Sequence, residues 1–475
     1  MKGKQVLQQP LFSIINLEEF VPTGHVVRKI ERVLDLTFLN KITSDLYASG
    51  NGRPSVDPEL FFRMQILKTL EGIGSDRRLC AEIQVNLAFR WFCKLSLEDS
   101  VPHHSSMTRI RERLGEEVFC LTFEQILEQC RQAGLVPGKK VLVDATHIEA
   151  NASIGSMIER EEADQKAIEP RYERYHDFRE GKKKRKLSNK THVSTTDPDS
   201  TMVTHRRLVS RLAHKVHYTA DAYRRVILDC HVTTGSRHEG QIMPIRLQHI
   251  LDHLALPLSQ VTADKAYGRG PTYGFLKRNK IRAYIPLLKG DLSIKKYSSR
   301  EFRYDSGKDQ FTCPTGHVLF PYQEPSDGLR KFRIVGGHCK RCKRRDQCIP
   351  EGYKHRARFI YFHPHQKEID NVRRRMKTTF FKKKLTERAW KIEGLFAEAK
   401  ENHGLRRAHL RGRAKVQIQV YLIAMVQNLK RLATSLLFLL YRAHLQGYLA
   451  LYFLFKWVLN GRIETYPSNP VLSPI

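Results

Sequence analysis

From Lys139 onward, helical spacing gives way to short apolar runs that end in acids, and this change of grammar limits the fold more than any other feature of the chain. Val141, Leu142 and Val143 run into Asp144, Val226-Ile227-Leu228 form a second β-rich run, and Val261 leads to Asp264. Short β-branched runs bounded by polar residues predict strands. Gln241 to Leu254 and Pro271 to Asn279 suit helices between and after them, and Ile281 to Ile285 suits a further strand. Strands alternating with helices predict an α/β core. In an open α/β sheet the carboxyl ends of neighbouring strands border one crevice, so Asp144 and Asp264 are placed to converge on it.

The preceding residues, 24–135, read as helices. Val26, Val27, Ile30, Val33, Leu34 and Leu36 recur at helical spacing. Asp57-Pro58 offers an N-cap followed by proline at the first helical position. Ser75 is placed to cap Asp76 to Asn86, and Ser105 to cap a basic segment carrying Arg109, Arg111 and Arg113, with Gly115 to stop it. Two readings stay open: a helix-turn-helix, with Arg109 and Arg113 as the DNA contacts, or a bundle whose arginines face water.

Charge narrows the partners. The chain has 82 Lys and Arg against 49 Asp and Glu, a net +33, which attracts a polyanion; nucleic acid is the leading expectation. Fifteen Lys and Arg against 4 Glu fall between Asn371 and Val420, and Lys182 to Lys186 is a further cationic run inside a polar, basic stretch from Glu159 to Arg211, read as an insertion or flexible arm. Met1 to Phe12 lacks the apolar stretch of a signal peptide. Leu436 to Leu459 is broken by Arg442, His444, Gln446 and Lys456, short of the ~20 residues of a membrane span. The expectation is a cytoplasmic, nucleoid-associated chain without a membrane partner.

A third acid should come from a helix. Glu393 lies in Arg388-Ala-Trp-Lys-Ile-Glu-Gly-Leu-Phe-Ala-Glu-Ala-Lys400, where Lys400, seven residues on, shares its face. Three carboxylates suit a hard cation such as Mg²⁺, and Lys265, beside Asp264, is a candidate phosphate contact. His238-Glu239, at the start of a helix, reads more readily as a helix first turn than as a ligand. A separate cluster, Cys313, Cys339, Cys342 and Cys348, has one half of a structural zinc spacing in Cys339-x₂-Cys342, with His317 or His338 as substitute ligands; a reduced, metal-free cluster in a basic loop is the alternative. The other five cysteines are scattered singly, as reduced core residues are.

Asp144, Asp264 and Glu393 in these contexts, with His403-Gly-Leu-Arg-Arg-Ala-His-Leu-Arg-Gly412, resemble the DDE transposases of bacterial insertion sequences. Arg53-Pro-Ser-Val-Asp-Pro-Glu-Leu60 and His103-His-Ser-Ser-Met-Thr-Arg109 are similar to the N-terminal domain of that family, and the likeness runs from about residue 10 to 432. The resemblance implies an RNase H-like core, a mixed sheet flanked by helices, with an all-helical N-terminal domain, a Cys-rich insertion and a helical C-terminal tail. It implies binding of terminal inverted repeats and strand cleavage and transfer with Mg²⁺ or Mn²⁺ on Asp144, Asp264 and Glu393, by a homo-oligomer on double-stranded DNA. Related transposases often carry an Arg four residues before the Glu, with a Tyr ahead of it. Here those positions are Ala389 and Thr386, so Glu393 and Lys400 carry over and Arg388 is a candidate phosphate contact beside Arg406, Arg407 and Arg411. The expected division is 1–135 for end binding, 136–288 for the first part of the core, 289–370 for the Cys/His insertion, 371–432 for the last catalytic helix and basic region, and 433–475 for the tail. A transposase-derived DNA-binding protein without catalysis is the alternative, and a zinc-dependent RNA-binding protein, which leaves the three acids unexplained, is the third reading.

Overall fold

A computed structural model describes residues 16–47, 55–160, 187–204, 210–287, 301–305, 307–326, 329–349, 357–362 and 365–435. The run Lys182 to Lys186 and the apolar stretch from Leu436 on lie outside these residues. Among the described residues, seven α-helices come first: α1 Leu17–Phe20, α2 Val26–Glu31, α3 Phe38–Thr43, α4 Pro58–Leu70, α5 Asp76–Val85, α6 Leu87–Phe92 and α7 His104–Gln132. Asp57 caps α4 ahead of Pro58, and Ser75 caps α5 by accepting from the Arg78 N–H. α7 departs from expectation at both marks. Its cap is His103, whose ring Nδ1 accepts from the Ser105 N–H, and Gly115, at φ 64°, bends the helix instead of ending it. A positive φ is cheap only for glycine, so the kink sits there. Arg111 turns inward to Asp76 at 2.8 Å and is buried, which removes it from any docking face.

The main sheet follows. Its strands are β1 Lys140–Glu149, β4 Thr201–Val203, β5 Arg211–Asp221, β6 Ile227–Thr234, β7 Gln260–Ala263 and β8 Arg282–Tyr284; a two-stranded ribbon joins β2 Met157–Glu159 to β3 His192–Ser194. β5 lies antiparallel between β1 on one side and β4 and β6 on the other, while β7 pairs parallel with β1 and β8 parallel with β7. Helices α8 Glu239–Leu254 and α9 Gly270–Arg278 make the crossovers, α8 between β6 and β7 and α9 between β7 and β8. The chain is thus α/β with a mixed sheet and a helical N-terminal part, as expected.

Beyond β8 comes a second sheet that the sequence reading did not anticipate. β9 Arg303–Asp305, β10 Gln310–Thr312, β11 Val318–Ser326, β12 Leu329–Ile334 and β13 Phe359–Phe362 form an antiparallel meander around Phe302, Phe311, Leu319, Phe332, Ile334 and Ile360. A short helix, α10 Arg345–Cys348, sits between β12 and β13. The cysteines therefore stand on a folded unit, not in a basic loop.

Helix α11 Gln366–Arg375 packs on α9, and α12 Thr379–Asn402 lies across β1, β7 and β8. α12 is capped by Thr378, whose side chain accepts from the Phe381 N–H. A last helix, α13, occupies 413–435. It closes the sheet edge with side-chain amides: Gln417 accepts from the Val232 N–H and donates to the Cys230 carbonyl, and Asn428 does the same with both backbone groups of Ile227. An edge strand's unpaired groups are thereby satisfied without a further strand. Asp197 and Asp199, expected in a flexible arm, are anchored: Asp197 is buried against His214 at 2.9 Å, and the two carboxylates accept from the Gly412 and Arg413 N–H groups at the start of α13. Carboxylates there complement the positive end of the helix dipole. No helix among the described residues is long and apolar enough to cross a membrane.

Acid should loosen this sheet. His217 and His231 face each other across β5 and β6, ring centroids 6.5 Å apart, and burial pushes His217 down to about 3 and His231 to about 4. A histidine held neutral in the fold contributes stability that is full above its unfolded value of 6.5 and lost as pH falls toward the folded value. For His217 the loss between pH 6.5 and 5 is on the order of 2 kcal/mol. His217→Gln removes the titration, so its stability deficit against wild type should shrink from pH 7 to pH 5; a constant gap in denaturant melts counts against the account.

Candidate active site

Asp144 and Asp264 occupy equivalent places on neighbouring parallel strands. The β1–β7 register pairs Val143 with Ala263, so each aspartate is the next residue along; β7 ends there, but β1 runs on to Glu149 against β5, so Asp144 lies mid-strand where the sequence placed a strand end. Alternation along β1 sends Leu142, Asp144, Thr146 and Ile148 to one face. α12 covers that face, and two of its side chains reach the strand: Arg388 Nη1 lies 2.9 Å from Asp144 Oδ2, and Lys400 Nζ donates to Thr146 Oγ1 at 2.6 Å. Burial drives the Asp144 carboxyl up to about 6, against the pull of Arg388 and a hydrogen bond from the Ala145 N–H. Asp264 caps the short 3-10 turn Lys265–Tyr267 and is hydrogen-bonded to the Lys265 N–H. Behind that turn, a Cβ on Gly268 would fall 2.1 Å from the Pro286 carbonyl oxygen, so only glycine lets the Asp264 loop lie this close to the chain after β8.

The glutamates of α12 sort themselves by partner. Glu387 pairs with Lys384 and Lys391, Glu398 with Lys430 and Arg431, and Glu401 with Arg406. Glu393 is exposed and, among the described residues, has neither ion pair nor hydrogen bond. It sits seven residues before Lys400, nearly two turns, and so shares the flank from which Lys400 reaches β1. Asp264 likewise has no ion pair among the described residues, and Lys265 beside it is exposed. One acid within β1, one just past the end of β7 and one unengaged acid on the covering helix are hard oxygen donors, although no three His, Cys, Asp or Glu side chains among the described residues stand in metal-holding geometry.

Two residues beyond that expected set belong to this region. Glu239 begins α8, pairs with Lys215 at 3.3 Å, and its charge helps to hold Asp144 up. Tyr267 is fully buried, its hydroxyl lacks a partner among the described residues, and burial followed by the charges of Glu239 and Asp144 raises it well above its ordinary value. The sequence weighed Glu239 as a ligand and favoured a helix first turn, and it did not single out Tyr267.

The basic residues divide. The segment after α12 returns to β1, where Glu149 accepts from the Ala408 N–H and donates to the Arg406 carbonyl. Arg406, Arg407 and Arg411 are exposed along it, with Arg411 Nε on the Asn151 carbonyl at 3.2 Å. Arg109 is exposed on α7, and Arg113 lies 5.0 Å over the Tyr47 ring. Lys400 and Arg388 alone among the expected phosphate contacts touch β1 through their side chains.

Cys313, Cys339, Cys342 and Cys348 line one cavity of the β9–β13 unit, with His317 and His338 stacked at 4.5 Å. All four thiols are free, Cys313 Sγ lies 3.0 Å from Thr315 Oγ1, and burial, reinforced by the neighbouring thiols, pushes Cys339 and Cys348 up.

Residues 15–113 match the family described as Transposase domain (DUF772), and residues 312–433 match Transposase DDE domain. Asp144 and Asp264 fall between the two matched stretches. No curated protein matches the chain. Among solved structures, a piggyBac transposase synaptic complex with hairpin DNA aligns at 10% identity over 94% of this chain and 84% of that one, TM-score 0.29. A Mos1 mariner paired end complex with Mn aligns at 13% identity over 56% and 70%, TM-score 0.16. A transposase domain lies over its N-terminal helices and a transposase DDE domain takes in Glu393 and Lys400, and together they mark the chain as a DNA transposase.

Proposed function

We propose that this transposase cuts and joins DNA at the terminal inverted repeats of its insertion sequence, using Asp144, Asp264 and Glu393 as the ligands of divalent cations. One observation carries the reading: the β1–β7 register sets Asp144, within β1, beside Asp264, just past the end of β7, beneath the helix whose one unengaged glutamate among the described residues is Glu393. The donors are all carboxylate oxygens, which suits Mg²⁺ or Mn²⁺, and the buried Asp144 has only Arg388 as an ion-pair partner among the described residues. Divalent cations on these carboxylates would supply Lewis acidity for the attacking and leaving oxygens.

The chain's own residues do the rest. In cleavage, a water oxygen bonds to phosphorus as the P–O3′ bond breaks and the 3′ oxygen leaves as a hydroxyl; in transfer, that hydroxyl's oxygen bonds to a target phosphorus as the target's P–O3′ bond breaks, and its proton passes to the departing target 3′ oxygen. Lys400 and Arg388, both reaching β1 from α12, hold the non-bridging phosphate oxygens, and Lys265 adds charge beside Asp264. Arg406, Arg407 and Arg411 grip the backbone further along the duplex, contacts that position without reading sequence. End recognition falls to the helices of 1–135, with Arg109 and Arg113 on the exposed side of α7. Strand order β6-β5-β1-β7-β8, with β5 alone antiparallel to β1 and its parallel neighbours, supports an RNase H-like core interrupted by the Cys-bearing unit. Four thiols on one cavity support a structural zinc there, since a core of six buried apolar residues is small enough to need a staple.

The test uses the purified chain and a duplex carrying one element end. EDTA should stop cleavage and Mg²⁺ or Mn²⁺ restore it; end binding without metal-restored cleavage would mean a DNA-binding relative that has lost catalysis. Elemental analysis should find about one zinc per chain, lost together with melting stability in Cys339→Ser plus Cys342→Ser. Zinc-free protein indifferent to those substitutions disposes of the zinc alone.

A further inference from the structure

The outer face of the β9–β13 sheet is not what a solvated sheet face should be. Alternation along β12 buries Phe332 and Ile334 and turns Lys331 and Arg333 outward. Around them stand Phe320 and Tyr322 of β11 and Phe359 and Tyr361 of β13, in rows fixed by the pairs Phe320–Arg333, Arg333–Phe359 and Lys331–Tyr361. Phe320 is 47% exposed, Tyr322 44% and Tyr361 46%, so these are large rings offered to water. The cations lie against them: Arg333 is 3.7 Å above the Tyr322 ring, and Lys331 is 4.3 Å from the Phe359 ring centre and 5.8 Å from that of Tyr361.

We infer that this face is a stacking platform for an unpaired DNA strand. The inference rests on the transposase reading for the choice of DNA, and on the face itself for the choice of an unpaired strand. Flat rings pack on the faces of bases, and a duplex hides those faces within its stack. A duplex would need only the cations, which meet phosphate without help from aromatics. A protein-binding patch of this size would be depleted of lysine at its centre, whereas Lys331 sits between three rings. The charges match a polyanion, in a chain already at +33. Cleavage and transfer at element ends generate such strands, and a surface outside the acid-bearing sheet can hold one without competing for the acids.

The experiment uses full-length protein and fluorescence anisotropy with three probes: a single strand, the same strand with abasic sites at successive positions, and its duplex. Tyr322→Ala plus Tyr361→Ala should weaken single-strand binding by about tenfold or more and leave duplex binding within about twofold, because each stacked base contributes on the order of tenfold. Wild type should bind the abasic strand as weakly as the variant binds the intact one, and Tyr322→Trp plus Tyr361→Trp should retain affinity. Both rings are exposed, and unchanged duplex binding reports an intact fold. Equal losses on single strand and duplex, or an abasic strand bound as well as the intact one, would overturn the proposal. So would loss of self-association with nucleic-acid affinities unchanged, which would give the face to a second copy of the chain. Metal-dependent end cleavage is scored in parallel, so a failure of the platform is distinguishable from a failure of the transposase reading.

Discussion

Alanine at Asp144, Asp264 or Glu393 should each lower strand cleavage by at least on the order of a thousandfold while DNA binding survives. The separation follows from who does what. On the proposed assignment, binding draws on Lys and Arg spread along α12 and the segment behind it, and cleavage on the three carboxylates. Glu393 is the most informative of the three because it supports nothing else: it is exposed and without an ion pair among the described residues, so Glu393→Ala should melt with wild type. Asp144→Ala is less clean, since it leaves Arg388 without its counter-ion in a partly buried place. Single-turnover cleavage of an end-bearing duplex, with anisotropy as the binding control, is the measurement. A Glu393→Ala enzyme that cleaves normally would sink the assignment.

The neighbourhood of the two aspartates was legible because apolar runs closed by acids stand out, although β1 continues past Asp144 to Glu149. Val141 to Asp144 and Val261 to Asp264 read as apolar runs closed by acids, and the structure adds what spacing could not, that the two runs are adjacent, parallel and in one register. Caps built from Asp57-Pro58 and Ser75 were readable for the same reason: local chemistry decides them. What the sequence hid was set by tertiary contact. Arg111 looked like one more basic residue until Asp76 and Gln65, from two other helices, took it inward. Lys382 to Lys384, counted in the sequence only as part of the basic stretch from Asn371, lie in the first turns of α12, next to the buried Phe381. The β12 segment Leu-Arg-Lys-Phe-Arg-Ile alternates at the period of a strand, but its charge drew it toward a loop; one buried face was enough to fold it. His103 displaced Ser105 as a cap because a neutral imidazole nitrogen accepts as a hydroxyl does.

Five residues beyond Glu393 on the same helix, Glu398→Ala should produce the opposite pattern: an unstable protein whose surviving folded fraction still cleaves. Its carboxylate is largely buried, with Lys430 Nζ at 2.7 Å, Arg431 Nη2 at 2.9 Å and Gln427 Nε2 at 3.1 Å, all on α13. Burial alone would raise this acid, but His403 and the two cations overcome it and hold the carboxyl well below 4.5. His403 in turn bonds the Thr69 carbonyl at 2.9 Å, so Glu398 joins α12, α13 and the N-terminal helices at one point. Removing it leaves two cations facing each other without their anion, a loss of about 3 kcal/mol for a pair of this burial. The sign of the pH dependence follows. A carboxyl depressed in the fold contributes stability that is full above its unfolded value of 4.5 and lost as pH falls below it, so the gap between wild type and Glu398→Gln should narrow in acid. Thermal melts at neutral pH and at pH 3.5, with cleavage measured on the folded fraction, decide the matter. Should Glu398→Ala melt like wild type and fail to cleave, the catalytic acid of α12 is Glu398, and the flank shared by Glu393 and Lys400 is only a solvated surface.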